Sequence, residues 1–275
     1  MTDTGQSPAD VELQIIGGGR MGEALLAGLL DAGWATPQQL GVVEPDTERR
    51  RILGNRYPGV RVSERPGPAR GVVVAVKPAH AAEVCADLAG LGVERILSIA
   101  AGVTTGRLES AAGASLPVVR AMPNTPAQVG AGASAVAAGT HAGEDDLVWA
   151  ESILGSVGVT VRVEEDLLDA VTGLSGSGPA YVFLLVEALI DAGVAQGLSR
   201  DVAGALVVQT VAGAAEILGR SGANGTDAGE HREAVTSPHG TTAAGLAVFE
   251  GHDVRAVVAE AVAAATERSR QLGAD

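Results

Sequence analysis

Along the first 165 positions the apolar residues gather in short runs, and between most of these runs apolar positions recur three and four apart. Leu13–Ile16, Leu40–Val43, Val60–Val62, Val72–Val76, Arg95–Ile99, Val118–Ala121, Ala133–Ala137 and Thr160–Val163 read as strands. Met21–Ala32, Thr47–Arg56, Ala79–Leu91, Thr105–Ala112 and Glu144–Val157 read as helices. Val72-Val73-Val74-Ala75-Val76 shows no alternation, as expected of a central strand buried on both faces. Strand alternating with helix predicts an α/β fold, doubly wound, with a mostly parallel sheet covered on both sides.

Near Glu164 the pattern changes. From Asp166 onward helical periodicity dominates, in Leu167–Leu174, Pro179–Gln196, Arg200–Leu218, Thr241–Glu250 and Val254–Gln271. Pro179 suits a first helical turn, and Ser199 and Asp253 suit N-caps. Gly219–Gly229, with four glycines, reads as a surface loop. The expected domains are therefore 1–165 and an all-helical 166–275.

The first strand runs straight into Gly17-Gly18-Gly19-Arg20-Met21-Gly22 and then a helix. In that order, G-x-G-x-x-G is the dinucleotide fingerprint. Gly17 makes the tight turn, Gly19 lets the backbone approach a pyrophosphate, and Gly22 lets the helix lie close on the sheet. Arg20 and Met21 then open the helix whose N-terminus faces that anion.

Three more loops follow strand ends, the edge where open α/β sheets bind ligands. Glu44-Pro45-Asp46 starts 22 residues after Gly22, near the spacing of the acid that binds a ribose 2′-hydroxyl. A carboxylate there favours NAD(H), whereas Arg49, Arg50 and Arg51 one turn on offer a phosphate a partner, and a plain helix-start loop is the third reading. Ala75-Val76-Lys77-Pro78 carries the only lysine of the chain over the sheet edge. In Ile99-Ala100-Ala101-Gly102 the small side chains leave room for a ring or ribose on the backbone, or are mere spacers. Asn124, between Pro123 and Pro126, either hydrogen-bonds a carboxamide or ribose or caps a turn.

In the helical half, Ser175-Gly176-Ser177-Gly178-Pro179 either holds an anion on exposed N–H groups or permits close helix crossing at a dimer seam. Thr236-Ser237-Pro238-His239-Gly240-Thr241-Thr242 precedes a helix and makes an anion nest or a simple N-cap.

Net charge is −14, which argues against nucleic acid or an anionic membrane as partner. No uninterrupted apolar run reaches the length of a membrane span, and Met1–Asp10 lacks the apolar core of a signal peptide. Aromatic residues make up only 2%, so the core is built from Ala, Val, Leu and Ile, and small side chains let helices pack closely, with a second copy as a natural partner. The lone Cys85 excludes a disulfide framework, and no metal site is expected; both fit the cytoplasm.

Taken in order, GGGRMG at 17–22, AVKP at 75–78, AAG at 100–102, RAMPNTPAQVGAG at 120–132, LDAVTGLSGSGPAYVFLLVEALIDAGV at 168–194 and VTSPHGTTAAGL at 235–246 resemble the pyrroline-5-carboxylate reductases. The resemblance spans Leu13 to Leu272. It implies a Rossmann domain followed by a helical dimerisation domain, and reduction of a cyclic imine to L-proline by NADPH or NADH. It also implies dimers that interlock their C-terminal helices and often assemble into decamers. By the same resemblance Ser237, Gly240 and Thr241 hold the substrate carboxylate, and the Thr242 hydroxyl reaches the ring nitrogen. The cofactor falls to Gly17, Gly19, Arg20, Met21, Glu44, Ala75, Val76, Lys77, Pro78, Ile99, Ala100, Ala101 and Asn124.

Three positions depart from the family pattern. Arg20 stands where Asn is usual, His239 where Gly is usual, and Glu44-Pro45 where many relatives carry a polar or basic residue for a 2′-phosphate. The alternative enzyme is another imine or 3-hydroxyacid reductase of similar architecture; a hydroxyacid dehydrogenase wants a lysine base in the helical half, which has none. A non-catalytic nucleotide sensor is the other alternative, set against the intact Thr241-Thr242 and AVKP.

Overall fold

Leu13 and Ile15 of the first strand belong to one hydrophobic cluster and Ile16 to another, and all three are buried. Side chains alternate across a strand, so both faces of this sheet must be covered. The computed structural model, describing residues 11–113, 115–220 and 228–274, shows how. Strands β1 (Leu13–Ile16), β2 (Leu40–Val43), β3 (Arg61–Ser63), β4 (Gly71–Val74), β5 (Arg95–Ser98), β6 (Val118–Met122), β7 (Gly132–Ala138) and β8 (Gly158–Arg162) form one sheet. Their order is β3-β2-β1-β4-β5-β6-β7-β8, with every pair parallel except β6 and β7. Helices α1 (Arg20–Asp31), α2 (Thr47–Arg56) and α5 (Glu144–Leu154) supply Leu25, Leu53 and Ile153 to one face. Helices α3 (Pro78–Asp87) and α4 (Thr105–Ala112) supply Cys85 and Leu108 to the other. Burial alone pushes the Cys85 thiol up to about 11, so it is a packed hydrophobe, not a nucleophile.

The expected doubly wound, mostly parallel sheet is present. The antiparallel step has a local cause: only the 3₁₀ turn Thr125–Val129 joins β6 to β7, too short for a parallel crossover. Several ends shift. Val72–Val76 stops at Val74, after which the Ala75 N–H still donates to the Ile16 carbonyl before the chain lifts over the edge. The helix expected over Ala79–Leu91 begins at Pro78 and ends at Asp87, because the chain tightens into short turns and reaches the left-handed Gly90 (φ 79°). Glu144–Val157 ends at Leu154 in a 3₁₀ turn before Gly158. In place of Leu167–Leu174 the chain forms a 3₁₀ turn Glu165–Leu167, α6 (Leu168–Val171) and a π turn Thr172–Gly176. The Thr172 and Ser175 hydroxyls there donate to the carbonyls four residues back, which loosens the helical ladder.

Beyond it lie α7 (Gly178–Ala195), α8 (Arg200–Arg220), α9 (Ala228–Ala234), α10 (Thr241–Gly251) and α11 (Val254–Ala274). The sequence reading has no helix at α9, whose polar run Gly229-Glu230-His231-Arg232-Glu233 carries no apolar period. The loop expected over Gly219–Gly229 lies mostly outside the described residues, as does the polar N-terminus; its ends belong to α8 and α9.

By residue contact the chain divides into two compact units. One runs to Ser177 and includes the stretch from Ala263; the other is Gly178–Val262. Among its described residues the second unit has helices and turns and no strand. A Cβ on Gly193 of α7 would stand 3.2 Å from that of Ala203 on α8. Most large apolar side chains of α7 face outward all the same, Phe183 and Leu184 each about two-thirds exposed. Residues 165–195 and α8 are long and apolar enough, by length and composition, to cross a membrane.

Candidate functional site

Strands β2, β1, β4 and β5 lie side by side and parallel, so their carboxyl ends form one edge. The ladder runs on into the loops: Gly17 N–H donates to the Val43 carbonyl at 2.8 Å, Ala75 N–H to Ile16 at 2.8 Å and Ile99 N–H to Val74 at 3.1 Å. This edge therefore collects Gly17, Glu44, Ala75 and Ile99 from four places in the sequence.

Gly17 has φ 109°, and a Cβ on it would stand 2.6 Å from the Ala75 carbonyl oxygen. Only glycine fits both demands. Above Gly19 the space is open, with no heavy atom within 4 Å of where a Cβ would sit. The first bond within α1 is from Glu23 N–H to the Gly19 carbonyl, so the N–H groups of Arg20, Met21 and Gly22 have no partner inside the helix. A glycine cradle under three such donors fits a pyrophosphate. The Met21 side chain packs on the core, whereas Arg20 is exposed and turns along α1 beside Glu23, Arg56 and Tyr57, with no hydrogen bond or ion pair among the described residues.

Glu44 is more committed than its spacing suggests. One carboxylate oxygen accepts the Gly18 N–H at 3.0 Å and the other the Asp46 N–H at 3.0 Å. It thus braces the glycine turn against the following loop. The three arginines are occupied as well. Arg49 donates to the Gly18 carbonyl and pairs with Glu23, Arg50 donates to the carbonyls of Glu44 and Pro45, and Arg51 pairs with Glu48. Partial burial pushes the Glu23 carboxyl up, but Arg49, Arg56 and Tyr57 outweigh it and hold it below the usual carboxylate range.

Beside Gly17 a cleft of about 680 Å³ is lined by Val43, Pro45, Arg65, Val76, His80 and Val84 among others. The sequence reading did not single out Arg65, His80 or Val84, since nothing in their local pattern marks them. Lys77 is exposed at the N-terminal end of α3, with Pro78 in its first turn. Ala100 is buried, its N–H 3.3 Å from the Ser98 hydroxyl, and Ala101 is exposed at the edge. Asn124 stands apart from these loops in its bonding. Its amide donates to the Ser175 carbonyl at 3.0 Å and its oxygen accepts the Ala133 N–H at 2.8 Å. Buried with both groups engaged, it clamps the β6–β7 turn to the π turn.

In the second unit Gly240 caps α10, and its N–H closes a turn onto the Ser237 carbonyl at 3.0 Å. The first bond within α10 is from Ala244 N–H, which leaves the N–H groups of Thr241, Thr242 and Ala243 without helical partners. Thr241 and Thr242 are exposed, and their hydroxyls bond no described residue. His239 adopts φ 61°, an uncommon place for any residue but glycine. Donor N–H groups and hydroxyls without a partner among the described residues, gathered at one helix start, have the chemistry that a carboxylate requires.

Comparison with known proteins bears on both halves. Residues 165–272 match the family model "Pyrroline-5-carboxylate reductase dimerisation", and residues 12–102 match "NADP oxidoreductase coenzyme F420-dependent". A pyrroline-5-carboxylate reductase from Synechocystis is 45% identical over 96% of this chain and 98% of its own. The solved structure of a pyrroline-5-carboxylate reductase from Coxiella burnetii matches at TM-score 0.88 and 34% identity, covering 96% of this chain and 98% of that one. A Plasmodium falciparum pyrroline carboxylate reductase with NADP bound matches at TM-score 0.81 and 31% identity, covering 96% and 98%.

Proposed function

The chain belongs to the pyrroline-5-carboxylate reductase family and reduces 1-pyrroline-5-carboxylate to L-proline with NAD(P)H, the last step of proline biosynthesis, and from that premise we propose which residues carry the reaction. When bound, the nicotinamide supplies a hydride to the imine carbon. The glycine turn, Arg20 and Met21, Glu44, Ala75–Pro78 and Ile99–Ala101 hold the dinucleotide. The observation that carries this reading is the open, glycine-lined cradle beneath unpaired N–H groups, at the edge where four loops converge. Asn124 contributes by holding Ser175 and the β6–β7 turn in place.

Ser237, Gly240 and Thr241 grip the substrate carboxylate, so that one face of the ring carbon is presented for attack. Thr242 places its hydroxyl at the ring nitrogen, which must end protonated. A threonine is too weak an acid to drive that transfer, so Thr242 orients the ring and relays a proton from water, or meets an iminium already formed. Positioning and fixed dipoles therefore supply most of the rate. The direct test is a steady-state assay with 1-pyrroline-5-carboxylate and NADH or NADPH. Cofactor binding without cofactor oxidation would overturn the catalytic assignment.

For the choice of cofactor we favour NADH. A 2′-phosphate near Glu44 meets a carboxylate that two backbone N–H groups hold in place, while Arg49, Arg50 and Arg51 are engaged elsewhere. Glu44→Ser is expected to raise the ratio of kcat/KM for NADPH over NADH by about ten-fold, the size of one lost charge contact. Because Glu44 also braces Gly18, affinity for both cofactors falls somewhat in parallel. An unchanged ratio would mean that Glu44 only braces the turn.

The assembly is a homodimer joined through the helical half. The support is the outward-facing Val182, Phe183, Leu184 and Leu185 on α7, with Leu206 and Val208 on α8, far more apolar surface than a lone soluble unit exposes. Glu187 and Asp191 share one flank of α7, which suits a protein partner with a wet rim better than lipid. The enzyme then works as a soluble cytoplasmic protein. Sedimentation at micromolar concentration is expected to show dimers or larger species, decamers included. A stable monomer would refute the assignment.

A further inference from the structure

The end of α11 returns to the first unit and touches a loop of the cofactor edge. Gly102, which follows Ile99-Ala100-Ala101, is buried in the left-handed region (φ 76°), and a Cβ on it would stand 3.2 Å from the Gly273 nitrogen. From the other side, a Cβ on Gly273 would stand 2.6 Å from the Gly102 carbonyl oxygen. The contact is backbone on backbone, so no rotamer change relieves an added atom. The turn before it is pinned: the Ser269 hydroxyl donates to Asp169 Oδ1 at 2.6 Å, and Thr266 and Ser269 are both buried. Thr266, Ser269 and Gly273 are three and four residues apart, hence on one helix face.

We propose that Gly273 is a positioning residue for the cofactor. The last turn of α11, held by Ser269 on Asp169, sets where the backbone of Gly102 lies and so where Ala100 and Ala101 meet the dinucleotide. The inference rests on the reading of Ile99–Ala101 as a cofactor loop. It makes residues some 170 positions downstream part of the cofactor site, although they bear no chemistry of their own.

Gly273→Ala tests it, because alanine is the better helix former and does not by itself unwind the turn. The KM for NADH is expected to rise about ten-fold, the size of one lost binding contact, with kcat and the KM for 1-pyrroline-5-carboxylate within about two-fold, because the shifted loop meets the dinucleotide and not the reacting atoms. Ser269→Ala, which releases the pin without adding bulk, is expected to shift the NADH KM the same way by about three-fold. Leu272→Ala, on an exposed neighbour, is the unchanged control. If Gly273→Ala folds poorly, Ser269→Ala decides alone. Ala101→Glu separates the two readings. A wild-type NADH KM in Ala101→Glu means that the loop does not bind the cofactor. A raised KM there, with wild-type values in both Gly273→Ala and Ser269→Ala, overturns the positioning role alone.

Discussion

Gly17→Ala is expected to weaken NADH binding by at least about thirty-fold and to lower thermal stability, because two costs fall on one atom. The backbone at φ 109° lies where an L-residue is strained, at about 1–3 kcal/mol. The new methyl would also stand 2.6 Å from the Ala75 carbonyl oxygen, which belongs to the next loop of the site. Relief requires that the glycine turn and the Ala75–Pro78 loop move apart, and both belong to the proposed cofactor site. Fluorescence titration with NADH, beside a thermal melt, measures the two effects separately. Gly19→Ala is the comparison, since its Cβ would meet no protein atom; any loss there comes from the ligand side. Wild-type affinity in Gly17→Ala would refute the cradle.

The second large effect is at Thr242. Removing its hydroxyl in Thr242→Ala is expected to lower kcat at least about ten-fold, less than the roughly hundred-fold or more of a lost oxyanion donor because water or a preformed iminium still supplies the proton, with NADH affinity little changed. The side chain is exposed in the first turn of α10 and bonds no described residue, so its loss leaves the helix intact. Thr242→Ser keeps the hydroxyl and is expected to recover most of the rate. Steady-state kinetics with each substrate varied in turn separates kcat from both KM values. A wild-type kcat in Thr242→Ala would remove the hydroxyl from the mechanism and leave protonation to water or a preformed iminium.

Much of the first unit was legible because burial on both faces writes unbroken apolar runs, and Leu13–Ile16 and Leu40–Val43 begin and end as expected. The strand ends two residues short of the expected Val76, an overrun that arises because Ala75 and Val76 stay apolar past Val74: they still pack partly buried against the core while the chain lifts over the edge, and Val76 also lines the cleft. The π turn was missed because its cause is a hydroxyl bonding back four residues together with a clamp from Asn124, neither of which alters apolar spacing. Helix α9 was missed for the opposite reason, a helical stretch with no apolar stripe.

At the proposed site, the sequence alone marked the candidate segments. A strand, three glycines and a helix in that order, and threonines at a helix start, are local patterns whose geometry follows from neighbours in the chain. What only the tertiary structure decided is how the groups are shared. Glu44 spends its oxygens on Gly18 and Asp46, Asn124 joins two turns, and Gly273 rests on Gly102 from the far end of the chain. Periodicity records which face a residue turns to its own element, whereas a hydrogen bond or a backbone contact depends on where a distant segment returns, and that is set by packing.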